Sequence, residues 1–465
     1  MMLEVGAVNK RIIYRRKAFE ASEYLDKIKS GAKWLDSQEK KDQYGIMWQY
    51  NDSPDAVEYY TNIENFNSGS SGMIPYLLSV FDVTGDEIYL EKAIAVGDRL
   101  IATKDAEHVR NLGNHLVGFQ WSIYGGLPGE AATAIMLYEK TGIERFKEFA
   151  LDIADEICES AVETERGVEW IGKEIYSVGG DAGAIMYLLY ASRHLGIDKY
   201  KDTIRKGAYQ LIAYGQKSDK GGKVWLNGIS PERSGFPVDM DAPGIEFGTA
   251  GMAWFFAEVS EYLGDQALLE EALAGAEYIR NISTEVAPNA YLVYCQANIP
   301  DLYYLGNCMG AAGVIKMFYR LYQITKDEIH KDWIEKYVNG ILSTGAPMLR
   351  SPGYWNNACV CCGTSGLLRL FLGLWAAFGD DEYMLLAEDA ADTLIADSFN
   401  DDQLGVRWYH AFERVSPMKV HTHTGFMCGN AGSITALAEF YLAKQGKYHS
   451  YRFIEDPIAD KVLFN

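Results

Sequence analysis

The sequence predicts an all-α protein, an α/α toroid built from seven helix-hairpin repeats. Three observations carry that expectation. A short glycine signature, G-x-x-G, recurs seven times, opening at Gly69, Gly126, Gly180, Gly248, Gly310, Gly363 and Gly429. Each copy is followed by an apolar stretch of helical period, such as MIPYLLSVFDVTG, MAWFFAEVSEYLG or LLRLFLGLWAAFG, with bulky residues at i, i+3, i+4 and i+7. Most of these stretches stop at a glycine (Gly85, Gly142, Gly196, Gly264, Gly379) and give way to a second, more amphipathic helix opened by Asp or Glu, as in DEIYLEKAIAVGDRLIAT.

Each unit therefore reads as an α-hairpin. A single hairpin cannot bury both faces of an apolar helix, so the units must stack, and seven can close into a ring with apolar helices inside and amphipathic ones outside. Small residues at the start of each inner helix let seven helix N-termini crowd together at one mouth of the ring. Residues 61–465 are assigned to this toroid and residues 1–60 to an N-terminal helical extension.

Composition fits such a body. The chain has 465 residues, 48% of them apolar and 23% charged, as in an ordinary globular protein with a large core. A net charge of −21 repels phosphate backbones and anionic lipid, and only the short KRIIYRR near the N-terminus interrupts it, so nucleic acid is a poor partner. No apolar run is long enough to span a bilayer, and Met1 to Arg16 offers no secretion signal, which leads us to expect a cytoplasmic protein without membrane insertion. Seven cysteines, an odd number, argue against a disulfide framework in a chain of this size and favour reduced thiols.

The candidate chemistry lies just before the glycine signatures. Cys308 stands two residues before Gly310, Cys361 two before Gly363, and Cys362 one before it. In a closed ring these loop positions converge. Three soft thiolates with an open fourth position describe a catalytic zinc site better than a closed structural one, although a single free cysteine is more often a small buried hydrophobe.

Here the sequence resembles the lanthionine synthetase C-like family, cyclases of lanthipeptide biosynthesis and their relatives. The resemblance runs from about Gly69 to Gly446 and rests on the repeated G-x-x-G and T-G-D-x-x-Y-L-E patterns, on N-C-M-G-A-A-G at Asn307 to Gly313 and on C-C-G-T-S-G at Cys361 to Gly366. It implies that Cys308, Cys361 and Cys362 ligate Zn²⁺, in the manner of the subgroup with a C-C-G motif. It further implies addition of a cysteine thiolate to a dehydrated Ser or Thr of a peptide. A peptide or thiol substrate follows, and a separate dehydratase as partner, because this chain has no room for a dehydration domain of its own.

The sequence departs from the family pattern at the acid. The family's histidine falls on Phe247, its acidic residue before the second signature near Ser122, and its arginine before the first ligand on Tyr304. Glu246, Asp241 and His423 are the expected replacements as proton donors; Asp239, His421 and Cys428 stand near them in sequence. Tyr304, Trp121, Tyr124 and Phe247 are expected to line the substrate funnel. Two other readings stand beside this one. One is a toroidal glycoside hydrolase or epimerase using paired carboxylates such as Asp239 and Asp241; the other is a peptide-binding relative that has lost the acid.

Overall fold

The computed structural model describes residues 19–48, 50, 62–110, 120–174, 177–226, 239–411 and 416–456. The basic KRIIYRR segment and most of the extension beyond Trp48 lie outside the described residues. Helices dominate, and the strands are short pieces paired two at a time in the connections.

Long helices alternate between two roles. The inner helices are α2 (Ser70–Thr84), α4 (Leu127–Thr141), α6 (Asp181–Leu195), α8 (Thr249–Leu263), α10 (Ala311–Thr325), α12 (Thr364–Phe378) and α14 (Asn430–Lys444). Each starts within the glycine signature and is buried on all sides over most of its length, as in α8, where every residue from Thr249 to Ser260 is buried. An apolar surface all round is stable only between neighbours, which is the reason for the ring.

The outer helices are α3 (Glu87–Thr103), α5 (Glu144–Glu159), α7 (Lys201–Ile212), α9 (Gln266–Ile282), α11 (Glu328–Ser343) and α13 (Asp381–Asp397), each packed on the inner helix before it. Four of the hairpin turns share one device. The inner helix ends in a left-handed residue (Gly85, Gly264, Lys326, Gly379), and the Asp that follows it caps the outer helix by accepting a backbone N–H: Asp86 from Ile88 at 3.1 Å, Asp265 from Ala267 at 3.0 Å, Asp327 from Ile329 at 3.0 Å, Asp380 from Glu382 at 2.9 Å. Lys326 adopts φ +56°, where three of these turns use glycine.

The last inner helix takes its partner from the other end of the chain. Helix α1 (Ala21–Ser37) packs on α14 and buries Tyr24, Ile28, Trp34 and Leu35. Inner helices touch in sequence around the ring, and α14 closes against α2.

A belt of backbone hydrogen bonds joins the loops at the mouth. Asn67 N–H donates to Tyr124 O, Gly179 to Glu246, Glu246 to Cys308, Asn307 to Cys361, Cys361 to Met427, and Met427 back to Asn67. The signature glycines explain how these loops fit. A Cβ on the second glycine would strike a carbonyl oxygen earlier in its own loop, at 1.8 Å from Ile245 O for Gly251 and 2.2 Å from Val360 O for Gly366. The chain therefore turns straight back onto the helix it is about to enter, and only glycine allows it.

The C-terminal segment, residues 447–456, fills the ring. Tyr451 OH donates to Asp82 near the C-terminal end of α2, and Phe453 stacks on Phe66 at 3.5 Å between ring centroids. Asp456 sits between Lys316 at 3.7 Å and Arg452 at 3.0 Å, while Arg369 pairs with Glu439 at 3.0 Å. These ions are buried, and burial leaves the Asp456 carboxyl well below the usual carboxylate range only because Lys316, Arg452 and Arg369 outweigh the desolvation.

Candidate metal centre and acid at the ring mouth

Cys308 reaches the mouth on the loop before α10, and Cys361 and Cys362 on the loop before α12. Two features press these loops together. Residues Tyr303–Tyr304 and Tyr354–Trp355 form a short parallel ladder, and Asn307 N–H donates to Cys361 O at 2.7 Å. Gly306 makes the approach possible: a Cβ there would lie 2.5 Å from the Cys362 Cα.

The three sulfurs converge as expected. Cys308 Sγ lies 3.5 Å from Cys362 Sγ, which lies 3.4 Å from Cys361 Sγ, and all three fall within 4.8 Å of one another. Tetrahedral Zn–S bonds of ~2.3 Å set ligand sulfurs about 3.8 Å apart, so this donor set fits zinc. Hydrogen bonds from Cys361 and Cys362 hold the Cys308 thiol well below its ordinary pKa, making it the first of the three to ionise. Cys362 is the least buried of the three.

Glu246 is anchored to the same loop, its backbone N–H donating to Cys308 O at 3.0 Å. Its side chain is buried, 9% exposed, and burial first, then Cys308 and Glu455, push its carboxyl well above the usual value. Burial thus favours the protonated, neutral form of this acid. Glu455, which the sequence reading missed, arrives on the C-terminal segment and accepts from Asn307 Nδ2 at 2.8 Å and from the Tyr124 hydroxyl. No local motif announces it, because its place depends on the segment threading the ring.

The other expected residues fall as follows. Asp241 accepts hydrogen bonds from the hydroxyls of Tyr278 and Tyr294. His423 is buried, stacks on Tyr50 at 4.6 Å between centroids and lies 5.1 Å from the His410 ring; burial first, then His410 and His421, lower its pKa to about 3. Trp121 and Tyr124, on the loop before α4, are buried at 3% and 2% exposure. Phe247 is buried at 7%, and half-buried Tyr304 leans on Trp355 with centroids 6.2 Å apart. Cys359 and Cys428 lie near the sulfur cluster, the Cys359 thiol 3.4 Å from the Cys362 backbone N–H, and Cys359, in the same C-V-C-C run, escaped the sequence reading.

A ring of seven hairpins with a thiol cluster at the helix N-termini defines the class, and comparison with known proteins gives the family. The model of the lanthionine synthetase C-like proteins matches residues 22–223 and 244–451, and the chain belongs to that family. Among solved structures it is similar to nisin cyclase, with a TM-score of 0.60 at 15% identity over 87% of this chain and 94% of that one. Weaker likenesses are to an α-1,6-mannanase of Salegentibacter sp. HEL1_6 in complex with α-1,6-mannotetrose (TM-score 0.45, 12% identity, 90% and 99% covered) and to an unsaturated glucuronyl hydrolase specific for heparin (TM-score 0.47, 11%, 92% and 99%). No curated protein matches the chain. Among the described residues, no helix is long and apolar enough to cross a membrane.

Proposed function

We propose that this chain catalyses addition of a cysteine thiolate to dehydrated Ser or Thr residues of a peptide, with Zn²⁺ held by Cys308, Cys361 and Cys362. The observation that carries the reading is the attachment of Glu246 to the Cys308 loop, which sets a buried acid beside an open three-thiol site. When bound, the metal supplies the Lewis acidity that keeps an incoming thiol ionised at neutral pH.

The chain's own residues account for the rest. Sulfur attack forms a C–S bond at the β-carbon of the dehydro residue and moves the double-bond electrons onto the adjacent carbonyl as an enolate. Glu246 then delivers its proton to the α-carbon, completing the thioether, and regains a proton from the thiol or from water. Asn307 holds Glu455, whose charge helps raise the same acid, and Tyr304 with Trp355 offers an aromatic rim where the peptide enters. Of the three replacement acids, Glu246 is preferred because Asp241 is engaged by two tyrosine hydroxyls and His423 is held unprotonated by burial.

The test is metal analysis combined with an assay by mass spectrometry on a peptide carrying dehydroalanine and cysteine. Wild-type protein should bind zinc and accelerate ring formation, and chelation should remove both. Cys308→Ala and Cys362→Ala should lose the metal of the open site while keeping helicity. Zinc-loaded wild type that accelerates no thiol addition to any dehydrated peptide would sink the cyclase reading in favour of a binding protein.

A further inference from the structure

The loop that carries Cys361 and Cys362 holds one side chain the mechanism does not use. Asn356 is 6% exposed, and neither its Oδ1 nor its Nδ2 has a hydrogen-bond partner. Among the described residues no other buried carboxamide leaves both atoms unpaired. The two asparagines nearest it in the site are engaged. Asn307 Nδ2 donates to Glu455 at 2.8 Å, and Asn357 Oδ1 accepts from the Cys359 backbone N–H at 2.9 Å. Burying both polar atoms of an amide without partners is unfavourable, so the fold carries this group at a cost in stability.

The backbone around Asn356 is fixed. Its carbonyl accepts from Arg350 Nε at 3.1 Å, Trp355 O accepts from Leu305 N–H at 3.1 Å, and Asn357 N–H donates to Cys362 O at 3.3 Å. The residue is therefore held between the aromatic ladder and the thiol loop with its own donor and acceptor unspent. Alternate residues of an extended chain share a face, which puts Asn356 on the face of Tyr354. The half-buried Tyr354 ring stacks on Tyr303 with centroids 5.7 Å apart.

We propose that Asn356 binds the main chain of the substrate peptide beside the Tyr303–Tyr354 stack, its carboxamide pairing at two points with the N–H and C=O of one extended residue. Whichever way it is turned, a carboxamide offers one donor and one acceptor side by side. An extended peptide residue presents the matching pair on one edge, as in a hydrogen-bonded pair of antiparallel strands. Of the groups every dehydrated peptide presents, only the main chain satisfies both atoms. Two such bonds fix the register of the peptide and so select which dehydro residue reaches the thiolate. The inference rests on the thiol-addition reading above and assigns Asn356 to substrate binding, with no part in holding metal or moving a proton.

The experiment uses zinc-loaded full-length protein and a synthetic peptide carrying dehydroalanine and cysteine, with ring formation followed by mass spectrometry and stability by thermal denaturation. Asn356→Leu keeps the volume and removes both polar atoms. It should raise KM at least about tenfold, the worth of two net hydrogen bonds, with kcat and zinc content close to wild type. Its melting temperature should equal or exceed that of the wild type, because the unpaired buried atoms are gone. N-methylation of the peptide, placed one residue at a time around the dehydroalanine, should raise KM of the wild type at one position and add nothing in Asn356→Leu. Unchanged KM in Asn356→Leu and in Asn356→Ala, with wild type active, overturns the inference and leaves the catalytic reading standing. A lowered melting temperature in both variants, with activity lost only in proportion, assigns the amide to the fold and also overturns it. Zinc-loaded wild type that forms no ring overturns the catalytic reading, and the inference with it.

Discussion

Single residues decide the chemistry here through burial more than through identity. Glu246 and Phe247 are neighbours, and in the proposed mechanism the glutamate serves where the family pattern has a histidine, because burial beside Cys308 raises its carboxyl above the usual carboxylate range. Glu246→Gln preserves shape and removes the transferable proton. It should slow thioether formation by about 10² to 10⁴ while zinc content stays that of the wild type; an unchanged rate would remove Glu246 from the mechanism. Glu130, on the first turn of α4, is a second buried acid, hydrogen-bonded to Asn62 at 2.7 Å and raised from 4.5 to about 8 mainly by burial. Between those values the folded chain keeps a proton that the unfolded chain has released. Stability contributed by this group is therefore present below about pH 4.5 and falls as pH rises towards 8. Glu130→Gln should flatten that decline, so that the melting temperature of wild type drops more between pH 5 and pH 8 than that of the variant. Equal drops would show that Glu130 is ionised or paired in the fold. The cysteine trio was legible at this scale, because its register before the glycine signatures could be read off directly. Glu455 was not, since nothing within its own segment marks a residue whose partners, Asn307 and Tyr124, lie 148 and 331 positions away.

At the scale of elements, the glycine signature is the part of the sequence that proved most informative. Its second glycine permits the loop carbonyls to approach the helix start, and a further glycine four residues before the signature in three repeats lets adjacent loops interlock. Gly244 faces Met309, Gly306 faces Cys362 and Gly425 faces Ser68, each with a Cβ position 2.4–2.5 Å from backbone of the next loop. Hairpins and their caps were legible because helical period, glycine stops and Asp caps are local signals. The interlocking was not, since it exists only when repeats are neighbours in space. Gly306→Ala is the sensitive probe. The added methyl must push the Cys361–Cys362 loop away from Cys308, so zinc affinity should fall by at least tenfold, about 1.4 kcal/mol, with circular dichroism nearly unchanged. Unaltered zinc affinity would mean that the two loops are positioned independently of this contact.

For the whole molecule the question is what closes the ring and what fills it. Sequence periodicity led to seven hairpins, and α1 with α14 completes the seventh from opposite ends of the chain, a pairing that local pattern cannot express. The centre is occupied by the C-terminal segment, whose apolar anchor is Phe453, 3% exposed and lying flat on Phe66. Phe66 belongs to the loop before α2 and packs against Phe426, on the loop before α14, with centroids 5.2 Å apart. One aromatic stack thus links the plug to the seam where the ring closes. Phe453→Ala would leave a cavity among groups held by seven helices, which cannot collapse to fill it, so the loss should lie at the upper range for a buried aromatic, about 3–5 kcal/mol by chemical denaturation. Because Glu455 rides on the same segment and reaches Asn307 beside Cys308, the variant should also lose activity beyond what its folded fraction explains. A destabilisation below about 1 kcal/mol, the range of ordinary surface substitutions, would show that the segment rests in the ring without supporting it, and retained activity would separate Glu455 from the acid at the mouth.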